Sequence, residues 1–338
     1  MTELTNRVSR TPLTLSFDRT VPRALAHRRA LGEVFVADSA AEDESTFHVA
    51  VQIPRAHSLW YDRRTTHHDP FAMAEAARQG SFVVLHRHLG VPLELPFSMQ
   101  RYEFSVGALD AFRDDEKSPL EGIIRYHIVS RVDRGTDFSD LTLAGELLIG
   151  DVPAMALSAD AVFLSRLDYE ALRSYQLSRL PKSRTTPVVP PLPPNAVGRM
   201  DSRNVVIGEP RPVGGDVRYP LVPDRRHPAL FDHDYDHVPG PFLIEAFRQA
   251  SIDSAVRAGR LRSPVATVVH CSSRFANFAE FGAPLECVAV QAESETPGHV
   301  RVDVDLRQFD RSLASGVLEL APMDAFRSSF PDRTEMTS

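Results

Sequence analysis

Two short strings of residues carry spacing that suits chemistry on a helix face. Glu75, Arg78 and Gln79 lie at i, i+3 and i+4, and Glu245, Arg248 and Gln249 repeat that pattern. On a helix each trio shares one face. Exposed to water, such a face is a solvated stripe whose Glu–Arg pair contributes a few tenths of a kcal/mol. Covered by a sheet, its charges need partners or a chemical task, and the wrapped architecture argued below favours a task. Asp236-His237-Val238-Pro239-Gly240 runs directly into the second trio's helix. Gly240 allows a ligand to approach the backbone closely. The free N–H groups of that first turn, reinforced by the helix dipole, can receive a developing oxyanion. The first trio is preceded by Asp69-Pro70 with no glycine, so the two stretches are chemically unequal.

Other reactive types are present without a recognised arrangement. His227, Asp232, His233, Asp234, Asp236 and His237 form a dense group, as do His67, His68 and Asp69. Neither has the spacing of a zinc site, so turns and caps are expected there and no metal. Cys271 follows His270, but neighbouring strand residues face opposite ways, so Cys271 and Cys287 are expected to be buried thiols. Trp60-Tyr61-Asp62-Arg63-Arg64 reads as a packed loop with exposed charges. A Gly-Xaa-Ser-Xaa-Gly elbow, a phosphate loop and a Gly-Xaa-Gly-Xaa-Xaa-Gly fingerprint are all missing, which disfavours a covalent serine mechanism and a nucleotide cofactor. No cofactor is expected.

The elements that position these residues come twice. His67, Glu75, Ala76, Arg78 and Gln79 match His237, Glu245, Ala246, Arg248 and Gln249 at one constant offset, which marks an internal duplication. Pro187-Val188-Val189-Pro190-Pro191-Leu192-Pro193-Pro194 separates the copies as a semi-rigid linker. The expected division is a first repeat over 1–185, a linker over 186–200, a second repeat over 201–325 and a tail over 326–338. In the first copy, strands at Glu33 to Val36 and Phe47 to Ile53 precede a helix from Pro70 to His88 that stops at Gly90. Strand-like runs follow at Met99 to Val106, Gly122 to Val132, Leu141 to Ile149 and Ala156 to Leu164. The second copy has Asn204 to Ile207 and Arg218 to Leu221, then a helix from Pro239 to Ala258. Runs at Val265 to Phe275, Leu285 to Glu293, Val300 to Gln308 and Leu313 to Leu320 complete it. Each copy is thus an α+β unit in which an antiparallel sheet can curl around one long helix.

Composition narrows the function. With 38 Lys and Arg against 45 Asp and Glu, the net charge of -7 argues against a nucleic-acid binder. A hydrophobic share of 43% in 338 residues supports real cores. No apolar run reaches a membrane span. The opening Met1-Thr2-Glu3-Leu4-Thr5 lacks a signal-peptide pattern, and two cysteines fit a reducing compartment, so a cytoplasmic protein is expected.

His237-Val238-Pro239-Gly240, Leu243, Glu245-Ala246 and Arg248-Gln249 resemble the central-helix region of hotdog-fold proteins, with a Pro-Gly to Glu spacing similar to acyl-carrier dehydratases. The fuller pattern resembles the A-factor biosynthesis (AfsA-type) family of γ-butyrolactone synthases. It includes Ala26-His27-Arg28-Arg29, Glu33-Val34-Phe35, Gln52-Ile53-Pro54-Arg55-Ala56-His57, Asp69 to Gln79, and His227 through Gln249. The resemblance implies a tandem double hotdog that transfers a β-ketoacyl group from a carrier-protein or CoA thioester to dihydroxyacetone phosphate. The phosphorylated ketoester so formed can close to a butenolide, a precursor of a signalling molecule for secondary metabolism. It further implies a site between the two central helices, with the thioester carbonyl near Gly240 and Glu75 as general base on the acceptor hydroxyl. Glu245 is its pseudo-symmetric equivalent, either catalytic or structural, and which of the two is the base stays open. Arg248, or alternatively Arg78, holds phosphate, Gln79 and Gln249 orient these groups, and His237 caps or assists as an acid. The catalytic His of dehydratases precedes the helical Glu by more residues than His237 does, and His233 falls nearer that spacing, so the role of each His stays open. Dehydration or hydrolysis of thioesters on the same scaffold, and a noncatalytic acyl-ligand sensor, are the alternatives. No nucleic-acid or membrane partner is implied, and a homo-oligomer is compatible.

Overall fold

The computed structural model describes residues 14–132, 140–181 and 188–325. The start of the first repeat (1–13), part of the expected linker (186–187) and the tail (326–338) lie outside the described residues. In the first half, β1 (Val36–Ala41) and β2 (Thr46–Ile53) precede α1 (Pro70–Val83), and β3 (Phe97–Val106), β4 (Leu120–Val132), β5 (Asp140–Ile149) and β6 (Val152–Phe163) follow. After α2 (Arg166–Ser178) come β7 (Arg211–Val213), β8 (Asp216–Pro220), α3 (Gly240–Arg257), β9 (Ala266–Phe275), β10 (Glu286–Ala292), β11 (Val300–Gln308) and β12 (Arg311–Pro322).

All of these strands join one antiparallel sheet, ordered β1-β2-β4-β5-β6-β3-β9-β12-β11-β10-β8-β7. Read outward from its centre, β3-β6-β5-β4-β2-β1 is matched strand for strand by β9-β12-β11-β10-β8-β7. The duplication therefore holds in topology as well as in sequence. The seam is β3 against β9, in register from Arg101 opposite Arg274 to Ser105 opposite His270. Two hotdogs share one continuous sheet, as a dimer of hotdogs would.

Each half-sheet wraps its helix. Every residue of α1 except Arg78 is buried, and so is α3 from Phe242 through Ala255. A helix covered on all sides cannot carry a solvated stripe. The alanines of α1 let the sheet come close enough for the Tyr126 hydroxyl to donate to the Ala77 carbonyl at 2.6 Å and for Tyr102 to do the same to Ala74. Asp69 caps α1 by accepting the Phe71 N–H at 3.0 Å. The expected single helix to His88 is α1 followed by a π-helical turn, Val84–His88, which ends before Gly90 at φ +69°. Among the described residues no helix is long and apolar enough to cross a membrane.

Two expected strands are absent, and both absences have one cause. Of Glu33 to Val36 only Val36 is in a strand, as the start of β1, and Glu33 ends a 3-10 turn (Leu31–Glu33); of Asn204 to Ile207, Asn204 ends a 3-10 turn (Ser202–Asn204) and Ile207 makes an isolated bridge. Their amides are stapled to the helices, while the Phe35 and Val206 carbonyls still accept the Gln52 and Val222 N–H groups. Phe35 N–H donates to Gln79 Oε1 and Val206 N–H to Gln249 Oε1, each at 2.9 Å. Helix α2 was not expected, although Ser165 accepting the Asp168 N–H at 3.1 Å is a readable N-cap. It docks on the second half through Arg173, which is 2.5 Å and 3.0 Å from the Glu280 carboxylate.

Candidate active site

Each central helix carries a buried carboxylate node. In the second half, Glu245 faces Arg199 (Nε 3.1 Å, Nη2 2.9 Å), Arg248 (Nη1 3.4 Å) and Gln249 (Nε2 2.6 Å). Arg199 is 0% exposed and donates through Nη1 to the Leu59 and Asp62 carbonyls at 2.9 Å and 2.8 Å. In the first half, Glu75 accepts from Arg28 Nη2, from Arg78 Nε and Nη2 at 2.8 Å each, and from Gln79 Nε2 at 3.0 Å. Gln79 and Gln249 also donate to the Glu33 and Asn204 carbonyls, which completes the two staples.

The halves also lock each other. Asp62 of the first half accepts the Met200 N–H at 2.8 Å, and Asp232 of the second accepts the Arg29 N–H at 2.6 Å. Each aspartate thus holds the residue just after the other half's node arginine. His57 and His227 hold the same loops, with Nδ1 accepting from Leu59 and Trp60 and from Ala229 and Leu230. Sequence reasoning missed Arg28, Arg199, Asp62 and His57 as site-building residues. The signal was available, because His57 with His227 and Asp62 with Asp232 keep the offset of Glu75 with Glu245.

The nodes differ in access. Arg248 is closed in, 3.6 Å from Asp69 at the head of α1 and 4% exposed. Gly198, just before Arg199, has φ +73°, and a Cβ there would lie 2.7 Å from the Pro264 carbonyl oxygen. Gly198→Ala should therefore cost roughly 2 kcal/mol or more in a denaturant titration, and an unchanged midpoint would contradict this tight packing. Arg78, by contrast, is 14% exposed and lies over the Phe82 ring at 4.9 Å. Its Nη1 has no hydrogen bond among the described residues. Asp232, His233 and Tyr235 of the second half approach this first node. The His233 and Tyr235 rings are 4.0 Å apart, and His233 Nδ1 is 3.5 Å from Asp232 Oδ2. The charges of Arg28, Arg78 and Glu75 all bear on Tyr235. At the positions equivalent to His233 and Tyr235, the second node has Arg63, paired with Asp114, and Thr65. Beside Arg78 a narrow, mostly apolar slot of about 20 Å³ runs between α1 and the sheet, lined by Met99, Tyr126, Leu143 and Leu157.

A family profile described as the A-factor biosynthesis hotdog domain matches residues 10–165 and 180–324. The chain belongs to the A-factor biosynthesis hotdog family. It is 30% identical, over 88% of its length and 96% of the relative's, to a 2-oxo-3-(phosphooxy)propyl 3-oxoalkanoate synthase of Streptomyces virginiae. A protein of the same name from Streptomyces griseus is 27% identical over 87% of this chain and 93% of its own. Among solved structures, a putative oleoyl thioesterase from Lactobacillus plantarum superposes with a TM-score of 0.51 at 13% identity, covering 84% of this chain and 98% of that one. That likeness concerns the fold.

Within this family frame the expected site residues separate into groups. Glu75, Arg78 and Gln79 come together at the open node, with His233 next to the Asp232 that binds the Arg29 N–H beside it, and Glu245, Arg248 and Gln249 come together at the closed one. His237 belongs to neither set of contacts. Its Nδ1 is 2.6 Å from Asp236 Oδ1 and its ring is 4.5 Å from Phe278, on the side where Tyr169 and Arg173 of α2 also hold Asp236. At the head of α3 the Phe242 and Leu243 amides turn back to the Pro239 carbonyl, and Pro241 has no N–H. Gly240 keeps its N–H, with open space where a Cβ would be. Among the described residues no group of three or more His, Cys, Asp or Glu is placed to hold a metal ion. Burial pushes the Cys271 thiol up to about 12, which keeps it unreactive. The Trp60 to Arg64 loop is packed as expected, but two of its charges are paired rather than exposed: Asp62 is buried and binds the Met200 N–H of the other half, and Arg63 pairs with Asp114 within its own half.

The ionisation pattern predicts a one-sided pH response. Burial would raise the Glu75 carboxyl, but Arg28 and Arg78 outweigh it and hold the group down to about 2, against 4.5 when free. Its contribution is full above 4.5 and is lost as pH falls toward 2. Burial, with nearby cations, lowers His27 to about 3 and His68 to about 4, against 6.5. The unfolded chain protonates these imidazoles first, so their effect also erodes stability as pH falls from 6.5. Urea midpoints should drop steadily from pH 6.5 to 3. A flat profile between 6.5 and 4 would contradict the buried neutral histidines.

Proposed function

We propose that this protein transfers a β-ketoacyl group from a carrier-protein or CoA thioester to the hydroxyl of dihydroxyacetone phosphate. The product is a phosphorylated ketoester, the precursor of a butenolide and of a γ-butyrolactone-type signal. The observation that carries this reading is the asymmetry of the two nodes in a chain of this family. Both nodes leave an arginine nitrogen without a hydrogen-bond partner among the described residues, Arg248 Nε in the second half and Arg28 Nε in the first, but only the first-half node has an imidazole, His233, in its neighbourhood and an apolar slot beside Arg78.

Roles follow from that arrangement. Arg78, with Nη1 unbonded, and Arg28, whose Nε has no partner, take the phosphate. Glu75 already accepts from three side chains, so it acts as the anchor that aims the two guanidiniums and not as the base first expected. Arg248, the first choice for the phosphate, has the closing role instead. The apolar slot beside α1 marks the side of the site on which the acyl chain lies. The Gly240 N–H stabilises the oxyanion on the thioester carbonyl, and His233, beside Asp232, faces the departing sulfur, which leaves as thiolate.

Arg78→Ala should raise the KM for dihydroxyacetone phosphate roughly 10- to 100-fold, the loss expected for a charge-assisted hydrogen bond. The thioester KM should change little, and equal effects on both substrates would remove the phosphate role. Thiol release from a β-ketoacyl thioester tests the reaction class. Release that requires dihydroxyacetone phosphate supports transfer, and the same rate without it points to a thioesterase.

A further inference from the structure

We propose that His27 is the general base of the first-half site, taking the acceptor's hydroxyl proton on Nδ1 while its own Nε2 proton passes to His86. The proposal rests on the acyl-transfer reading above and supplies the base that Glu75 cannot be.

The backbone gives the first reason. His27 adopts φ +51°, and its counterpart before Arg199 is Gly198 at φ +73°. The chain makes the same left-handed bend ahead of both node arginines. Glycine is the ordinary residue for it, and the closed half uses glycine. The open half places an imidazole there, against conformational preference. A strained residue retained on one side of a duplicated fold, beside the site that opens, points to a task for its side chain.

Hydrogen bonding then fixes where the lone pair lies. His86, in the π-helical turn, has Nδ1 2.7 Å from the Val91 carbonyl oxygen, which can only accept. His86 therefore carries its proton on Nδ1 and accepts at Nε2. His27 Nε2 is 2.6 Å from that atom and must be the donor. The neutral His27 is left with its lone pair on Nδ1. Its ring is clamped by Phe82 at 4.6 Å, His86 at 4.8 Å and Phe97 at 5.6 Å.

The surroundings suit a base that works only with substrate bound. The groups bearing on His27 are His86 from the π-helical turn, Arg78 from α1, Arg28 beside it and His233 from the second half. Burial and these neighbours keep it neutral and weakly basic in the free protein. A bound phosphate would offset Arg28 and Arg78 and so raise the basicity when the acceptor arrives. In the step itself the acceptor O–H breaks and its proton goes to His27 Nδ1. The oxygen bonds to the thioester carbon, the C–S bond breaks, and the sulfur leaves as thiolate. The His27 Nε2 proton moves to His86 Nε2, so the positive charge rests on a ring whose other N–H is held by Val91.

The test is His27→Gly, which installs the residue its counterpart already has, with His27→Asn as a second variant that tolerates the same backbone. Both should remain folded, because each tolerates the left-handed backbone. Both should lose at least 100-fold in kcat with little change in the thioester KM. Imidazole added to the buffer should restore part of the His27→Gly rate. In nitrogen-15 histidine spectra of the free protein, His27 should carry its proton on Nε2. Folded variants with kcat within threefold of wild type, or a His27 proton on Nδ1, would overturn the proposal. A wild-type protein that turns over no β-ketoacyl thioester would instead count against the acyl-transfer reading, and the spectra would still decide the tautomer.

Discussion

Glu75→Gln should cut turnover at least 100-fold while leaving a folded protein. The Glu75 carboxylate is the common partner of Arg28 and Arg78, and it holds Arg78 with two parallel bonds of 2.8 Å. An amide keeps one acceptor oxygen and brings no charge. Arg78 would lose its bidentate contact and the aim of its free nitrogen, and the phosphate would lose its register with the reacting carbonyl. Two cations without a counter-ion would also repel in a buried node, at a cost of about 3 kcal/mol. The measurements are kcat/KM for both substrates and a denaturation midpoint on the same sample. Wild-type turnover in a folded Glu75→Gln protein would remove the node from the mechanism.

Glu245→Gln should also lower stability, by about 3–5 kcal/mol, but leave turnover of the folded fraction within about threefold. Glu245 neutralises Arg199, which is wholly buried, and faces Arg248. Asp69 lies 3.6 Å from Arg248 and gives it only partial compensation. The gap beside Arg248, lined by Arg63, Asp69 and Gly198, is only about 10 Å³, too small for a substrate, so the loss of Glu245 would be felt as unfolding. Lost catalysis with unchanged stability would place the chemistry in the second half. The pair of variants thus decides which helix carries the reaction, a question the near-identical sequences of the two trios leave open.

Much of the fold was legible because its signals are local. Alternation marks the strands, as in Arg301-Val302-Asp303-Val304, and the two Glu-Ala-Xaa-Arg-Gln strings mark both helices. The node was half legible. Glu75, Arg78 and Gln79 share a helix face by spacing alone, but Arg28 reaches Glu75 from a loop and Arg199 bonds carbonyls of the opposite half. Contacts across such distances in the chain leave no periodicity to read. The roles of His233 and His237 were left open for a related reason. The loop ahead of α3 is pinned by Asp236 to Tyr169 and Arg173, on a helix whose docking could not be foreseen. The glutamines looked like site residues and are also backbone staples, which is why two expected strands are not strands.

The central claim is acyl transfer at the first-half node, and product mass tests it most directly. Purified protein, a β-ketoacyl thioester and dihydroxyacetone phosphate would be incubated and analysed by mass spectrometry, with each component omitted in turn. The expected result is the mass of the phosphorylated ketoester, or of its dehydrated butenolide, only in the complete mixture, retained with Glu245→Gln and lost with Glu75→Gln. Free β-keto acid formed equally without the acceptor, or ketoester made at the full rate by Glu75→Gln, would contradict it.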